Sequence, residues 1–115
     1  MTTALELELP LFRAALEDAR VTDFVSLLYR IGEWVTATEA CAHLGLEKSE
    51  SNRRLVRTWA EAAGDEIISG QHGYRHADRA TTEEVHHFCA WMDSQAQKMK
   101  LRAARTRARA HAILA

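Results

Sequence analysis

Apolar residues recur along this 115-residue chain at two spacings, three to four residues apart over most of its length and every second residue in short stretches. Leu5, Leu7 and Leu9 alternate with Glu6 and Glu8, which fits a short strand or a frayed lead-in to a helix. Pro10 suits the first turn of a helix, where its missing N–H costs no intrahelical bond. Phe12, Ala15, Leu16 and Ala19 follow at helical spacing and predict a short amphipathic helix over 10–19. A further helix is predicted from Thr22 or Asp23 to Ile31. Phe24, Leu27, Leu28 and Ile31 form its stripe, and Gly32 can take the left-handed position at its end.

Start and stop residues divide the middle of the chain. Thr36 and Glu39 have the spacing of a capping box, in which hydroxyl and carboxylate satisfy each other's backbone N–H. Val35 and Ala40 stand where a hydrophobic staple would, and the helix should end before Gly45. Ser49 or Ser51 can cap the next helix, which should run to about Ala63 with Gly64 as its stop. Leu55, Val56, Trp59, Ala62 and Ala63 are its expected buried side. Ile67-Ile68-Ser69 and Tyr74-Arg75-His76 then read as short strands around a loop bounded by Gly70 and Gly73. Thr81 and Glu84 repeat the capping-box spacing and open a helix that no proline or glycine interrupts before the end. Val85, Phe88, Met92 and Ala96 or Met99 carry its apolar stripe, with Trp91 beside it.

The length suits one small domain with a single core. No apolar run reaches the roughly 20 residues that span a bilayer, and no basic segment followed by an apolar one marks a signal peptide. Cys41 and Cys89, far apart in helical surroundings, fit small packed side chains in a reduced, cytoplasmic protein. The net charge of −1 conceals an asymmetry. Residues 1–48 hold eight acids and four bases, whereas six bases and no acid follow Ser94. A polyanion, an acidic partner or a folded-back neighbour would answer such a basic end.

The candidate chemistry is recognition. A helix fits the DNA major groove, where arginine reads guanine and asparagine reads adenine through paired hydrogen bonds. Ser49, Ser51, Asn52, Arg53, Arg54 and Arg57 occupy the start of the helix that follows the glycine turn, and Asn52, Arg53 and Arg57 can share an exposed face. The bland alternative pairs those arginines with Glu50, Glu61 or Asp65. Gln71, His72, Arg75 and His76 lie on or beside the hairpin, where basic residues position a protein on phosphate. The hairpin could equally just close the core with Ile67, Ile68 and Tyr74. In the basic tail, Arg102 and Arg105 could add salt-dependent phosphate contacts. The same helix could instead pair with a second copy, although a heptad reading of Val85, Phe88 and Met92 meets Gln95 and then Arg102.

Other chemistries find little support. His72 and His76 are separated by three residues across a hairpin, and His86, His87 and Cys89 cluster in sequence, yet no CxxC or HExxH is present. No metal site or cofactor is expected. No nucleophile elbow or phosphate-binding glycine loop suggests an enzyme.

Helix, glycine turn, arginine-bearing helix and glycine-bounded hairpin follow one another in the order of a winged helix-turn-helix. The stretch from about Val21 to Thr82 resembles small bacterial and phage winged helix-turn-helix regulators and DNA-binding accessory proteins. TATEACAHLGL stands for the first helix and turn, SESNRRLVRTWAEAAG for the recognition helix, and IISGQHGYRH for the wing. By that resemblance Asn52, Arg53, Arg54 and Arg57 would meet bases or phosphates, and Arg75 would be a wing contact. The expectation is a mostly α fold with a two-stranded β-hairpin wing and a long C-terminal helix. Residues 1–20 would be a helical extension, 21–80 the winged domain, and 81–115 a long helix with a basic tail. Its function would be binding double-stranded DNA, as a transcription regulator or phage-type accessory factor, dimeric through the last helix. Residues 49–79 hold five bases and five acids, however, which leaves an acidic protein partner as the alternative.

Overall fold

A computed structural model describes the main chain of residues 4–114 and the side chains from residue 11 to residue 114; residues 1–3 of the expected extension and Ala115 lie outside it. The protein is mostly helical, at 77%, with one two-stranded antiparallel hairpin and a long C-terminal helix. Its elements are α1 (Ala4–Ile31), α2 (Ala37–His43), α3 (Glu50–Ala62), β1 (Ile67–Gly70), β2 (Gly73–His76) and α4 (Thr82–Leu114). Short 3-10 turns at Gly64–Glu66 and Ala77–Arg79 flank the hairpin. The chain divides into two compact units at Ala80 and Thr81.

α1 corrects three expectations at once. Its 28 residues absorb the alternating leucines, place Pro10 inside the helix rather than at its first turn, and continue through residues 20–22. Thr22 invites the wrong reading because threonine is a good N-cap. Here its hydroxyl donates back to the Asp18 carbonyl at 3.0 Å, a bond compatible with an unbroken helix. The helix ends where Gly32 takes φ +70°.

The core of the first unit gathers Phe24, Leu28, Val35, Ala40, Cys41, Val56, Trp59 and Ile67. Phe24 is its hub, with ring centroids 6.3 Å from Trp59 and 6.0 Å from Tyr74. Burial of this kind stabilises each large apolar side chain by roughly 1.5–3 kcal/mol. Trp59 also holds the middle of α1: its indole N–H donates to Glu17 at 3.4 Å, and the Arg20 guanidinium lies over its ring. Upstream of these contacts Leu11, Phe12 and Leu16 are exposed.

Residues 67–76 form the expected hairpin, paired Ile67 to His76 through Gly70 to Gly73. Val35 adds an isolated antiparallel bridge to Tyr74. In the second unit α4 has the predicted capping box, with Thr81 N–H donating to Glu84 at 2.8 Å and Glu84 N–H to the Thr81 hydroxyl at 3.1 Å. The helix then runs 33 residues without a buried side chain. Cys41 is buried as expected, but Cys89 lies exposed on α4.

Candidate nucleic-acid interface

Local chemistry fixes how α2 hands the chain to α3. Thr36 caps α2 and Glu39 reciprocates, with bonds of 3.1 and 3.2 Å. Hydrogen bonding of the Glu39 carboxylate to Thr36, first to its hydroxyl and then to its backbone N–H, holds that carboxyl below its ordinary value of 4.5. At the other end Gly45 adopts φ +71°. Leu46 N–H then reaches the Cys41 carbonyl at 2.8 Å and Gly45 N–H the Ala42 carbonyl at 3.3 Å. That pair is a Schellman motif, which closes the helix and redirects the chain.

Ser49 and Asn52 build the start of α3 instead of standing on its exposed face. The Ser49 hydroxyl accepts from Asn52 N–H at 3.1 Å, and the Asn52 amide donates to the Glu47 carbonyl at 2.9 Å. Asn52 is half-buried and in helical phase with Val56, Trp59 and Ala63, so this side faces inward. Leu55, expected inside, is consequently 40% exposed, and Ala62 is exposed too.

The outer face of α3 carries Glu50, Ser51, Arg54, Arg57 and Glu61, all exposed, with Arg53 at its margin. Glu50 organises the arginines. Arg53 donates to it at 2.9 Å, and Arg54 lies 3.6 Å from its other oxygen. The hydrogen bond from Arg53, followed by the charges of Arg53, Arg54 and Arg57, pulls the Glu50 carboxyl below 4.5. Arg57 forms no ion pair among the described residues. The pairing of Arg53 and Arg54 with Glu50 is part of the bland alternative read from the sequence. These pairs are exposed, however, and an incoming anion can displace them at little cost.

The hairpin residues separate into tip and base. Gln71 and His72 form the two-residue turn, with side-chain nitrogens 3.2 Å apart, and the His72 ring lies 6.4 Å from Trp34. Arg75 instead reaches back to α1, donating to the Gly32 carbonyl at 2.9 Å. His76 is buried, edge-on to Tyr29 at 5.1 Å, and its Nδ1 accepts from Asp78 N–H at 3.1 Å. Arg79 stacks over Tyr29 at 5.5 Å, so two guanidiniums serve the C-terminal end of α1, where the helix dipole favours positive charge. Arg75 and His76 therefore have structural partners, which the alternation of a short strand could not reveal.

Arg102 and Arg105 lie in the second unit. With Lys98 and Arg109 they line one face of α4, interleaved with Leu101 and Thr106. Spacings of four, three and four residues keep these four bases on one side of the helix. The described residues hold no group of three or more His, Cys, Asp or Glu side chains arranged for a metal ion, and no described helix is long and apolar enough to cross a membrane. No family model, curated protein or solved structure matches the chain.

Proposed function

We propose that the first unit is a winged helix-turn-helix that binds duplex DNA through the outer face of α3, as a transcription regulator or phage-type accessory factor. The order of helix, bridging residue Val35, two helices and hairpin supports this reading, with the Val35–Tyr74 bridge standing where a winged fold would have a third, minimal strand. The observation that carries the reading is the grouping of Arg53, Arg54 and Arg57 in the first eight residues of α3, on its solvent side or at the margin of it. In helix-turn-helix proteins that part of the second helix enters the major groove. Ser51 lies beside them, and His72 at the hairpin tip is the best-placed wing contact. Ser49, Asn52 and Arg75 act through the fold, holding the turn and the base of the hairpin.

Leu55 favours a second reading. An exposed leucine among mixed charges suits a protein surface that pairs apolar and acidic groups with this helix. Selection of bound sequences from random duplex DNA separates the two. Enrichment of a site, whose symmetry also reports half-site arrangement, supports groove reading; failure to enrich any sequence or retain duplex supports the protein partner.

A further inference from the structure

We propose that α4 is a self-complementary surface that pairs antiparallel with α4 of a second copy of this chain. The proposal does not depend on what α3 binds.

The heptad reading fails at Gln95 and Arg102 because the apolar stripe has a different period. Val85, Phe88 and Met92 are followed eleven residues later by Ala96, Met99 and Ala103, and eleven further on by Arg107, Ala110 and Leu114. Eight of these nine positions are apolar, and an 11-residue repeat has about 3.67 residues per turn, close to that of an undistorted helix. Such a stripe stays on one face of a nearly straight helix for its full length. In the chain by itself Val85, Phe88 and Ala103 are half-buried, but the rest of the stripe is exposed, with Met92 at 48%, Met99 at 71% and Leu114 at 85%.

Side-chain size and charge select the occupant and its direction. The bulk of the stripe lies toward the start, at Val85, Phe88 and Met92, while alanines follow at 103 and 110. Parallel pairing would set large against large and leave gaps between alanines. One antiparallel register pairs eight of the nine positions and leaves Leu114 beyond the start of the other copy's α4. It sets Met99 against Ala96, Met92 against Ala103 and Val85 against Ala110 of the other copy, large against small as close packing requires. The same register brings the one charged member, Arg107, across from Phe88, whose ring face attracts a guanidinium.

Charge follows the same register. Three acids (Glu83, Glu84 and Asp93) lie in the first half of α4, and all six bases lie from Lys98 onward. In parallel helices the six bases would face six bases. Antiparallel, Glu84 comes beside Arg109 and Asp93 beside Lys100 of the other copy, each pair flanking the apolar stripe. The partner chemistry that fits this face is therefore its own.

Two measurements on the full chain test this. Light scattering at micromolar concentration should give twice the chain mass, and a monomer mass overturns the proposal. Direction is read by cysteine pairing in a Cys89→Ser background, with Cys41 buried in the core. A mixture of Met92→Cys and Ala103→Cys proteins under mild oxidation should form the mixed disulfide, with neither variant linking to itself. Self-linked Met92→Cys protein without the mixed product indicates parallel helices and overturns the register.

Discussion

Val35 and Tyr74 exchange two main-chain hydrogen bonds, each 2.8 Å, and so fasten the segment before α2 to the hairpin after α3. Gly73 makes this possible. It adopts φ +111°, and a side chain there would be driven into the Val35 carbonyl and the Thr36 main chain. Gly45, by contrast, has φ +71° with nothing near enough to clash. Gly45→Ala should therefore cost about 1 kcal/mol, from backbone strain alone. Gly73→Ala should cost several times as much, because the two backbones must separate. Thermal unfolding checks this: about 4–8 °C is expected per kcal/mol for a unit of this size. Equal losses at both glycines would mean the bridge does not constrain the fold.

The α2 capping box gives a prediction in pH. Thr36 lowers the Glu39 carboxyl below 4.5, so the carboxylate's contribution is complete above that value and is lost as pH falls through the lower folded-state value. Thr36→Ala should cost about 1 kcal/mol at neutral pH by loss of the N-cap. Its thermal midpoint should also fall less than the parent's when pH is lowered below 4.5. A parallel decline in both proteins would contradict the role given to Glu39.

Glu50 orders the arginines of α3 and, on the proposed DNA-binding face, would oppose an approaching phosphate. Glu50→Gln should strengthen duplex DNA binding at neutral pH by roughly threefold, the scale of an exposed ion pair. The gain should disappear below pH 4.5 as the parent carboxyl approaches protonation, since Arg53 and its neighbours hold it below that value. Fluorescence anisotropy at two pH values provides the measurement. Weaker binding by the variant at neutral pH would show that Glu50 aids recognition.

Arg75 and Arg57 should separate stability from binding. Arg75→Ala removes the bond to the Gly32 carbonyl and should destabilise the fold by about 1–2 kcal/mol. It should leave the salt dependence of DNA binding unchanged. Arg57→Ala should do the reverse. If Arg75→Ala instead flattened the salt dependence with an unaltered melting temperature, Arg75 would be a wing contact after all.

Where a side chain's partner lies within four residues, the sequence was easy to read. Thr36 with Glu39, Thr81 with Glu84 and the Ser49 cap are local bargains between side chain and backbone, and the glycines at 32, 45, 64 and 73 mark positive φ. Thr22 shows the ambiguity of that code, since the same hydroxyl can start a helix or bond back within one. Partners distant in sequence were hidden. Nothing near Arg75 announces a carbonyl 43 residues away, and a single bridging residue such as Val35 leaves no period to detect. Leu55 was misplaced because polarity suggested that Asn52 faced outward. The Asn52 bond to Glu47 turns it inward and sets the phase of the helix. On α4, the residues of the stripe are visible in the sequence, but a heptad frame hides their 11-residue period.

The most direct test of DNA recognition by α3 is a salt titration of duplex binding by the parent and by Arg53→Ala/Arg57→Ala. Arg57 lies on the solvent side of α3 and Arg53 at its margin with an exposed ion pair, so melting temperature should stay within the range of surface changes. The double variant should bind more weakly, with the slope of log affinity against log salt reduced by about 2, near 0.9 for each lost phosphate contact. Parent-like affinity and slope in a folded double variant would contradict the assignment of this face to DNA.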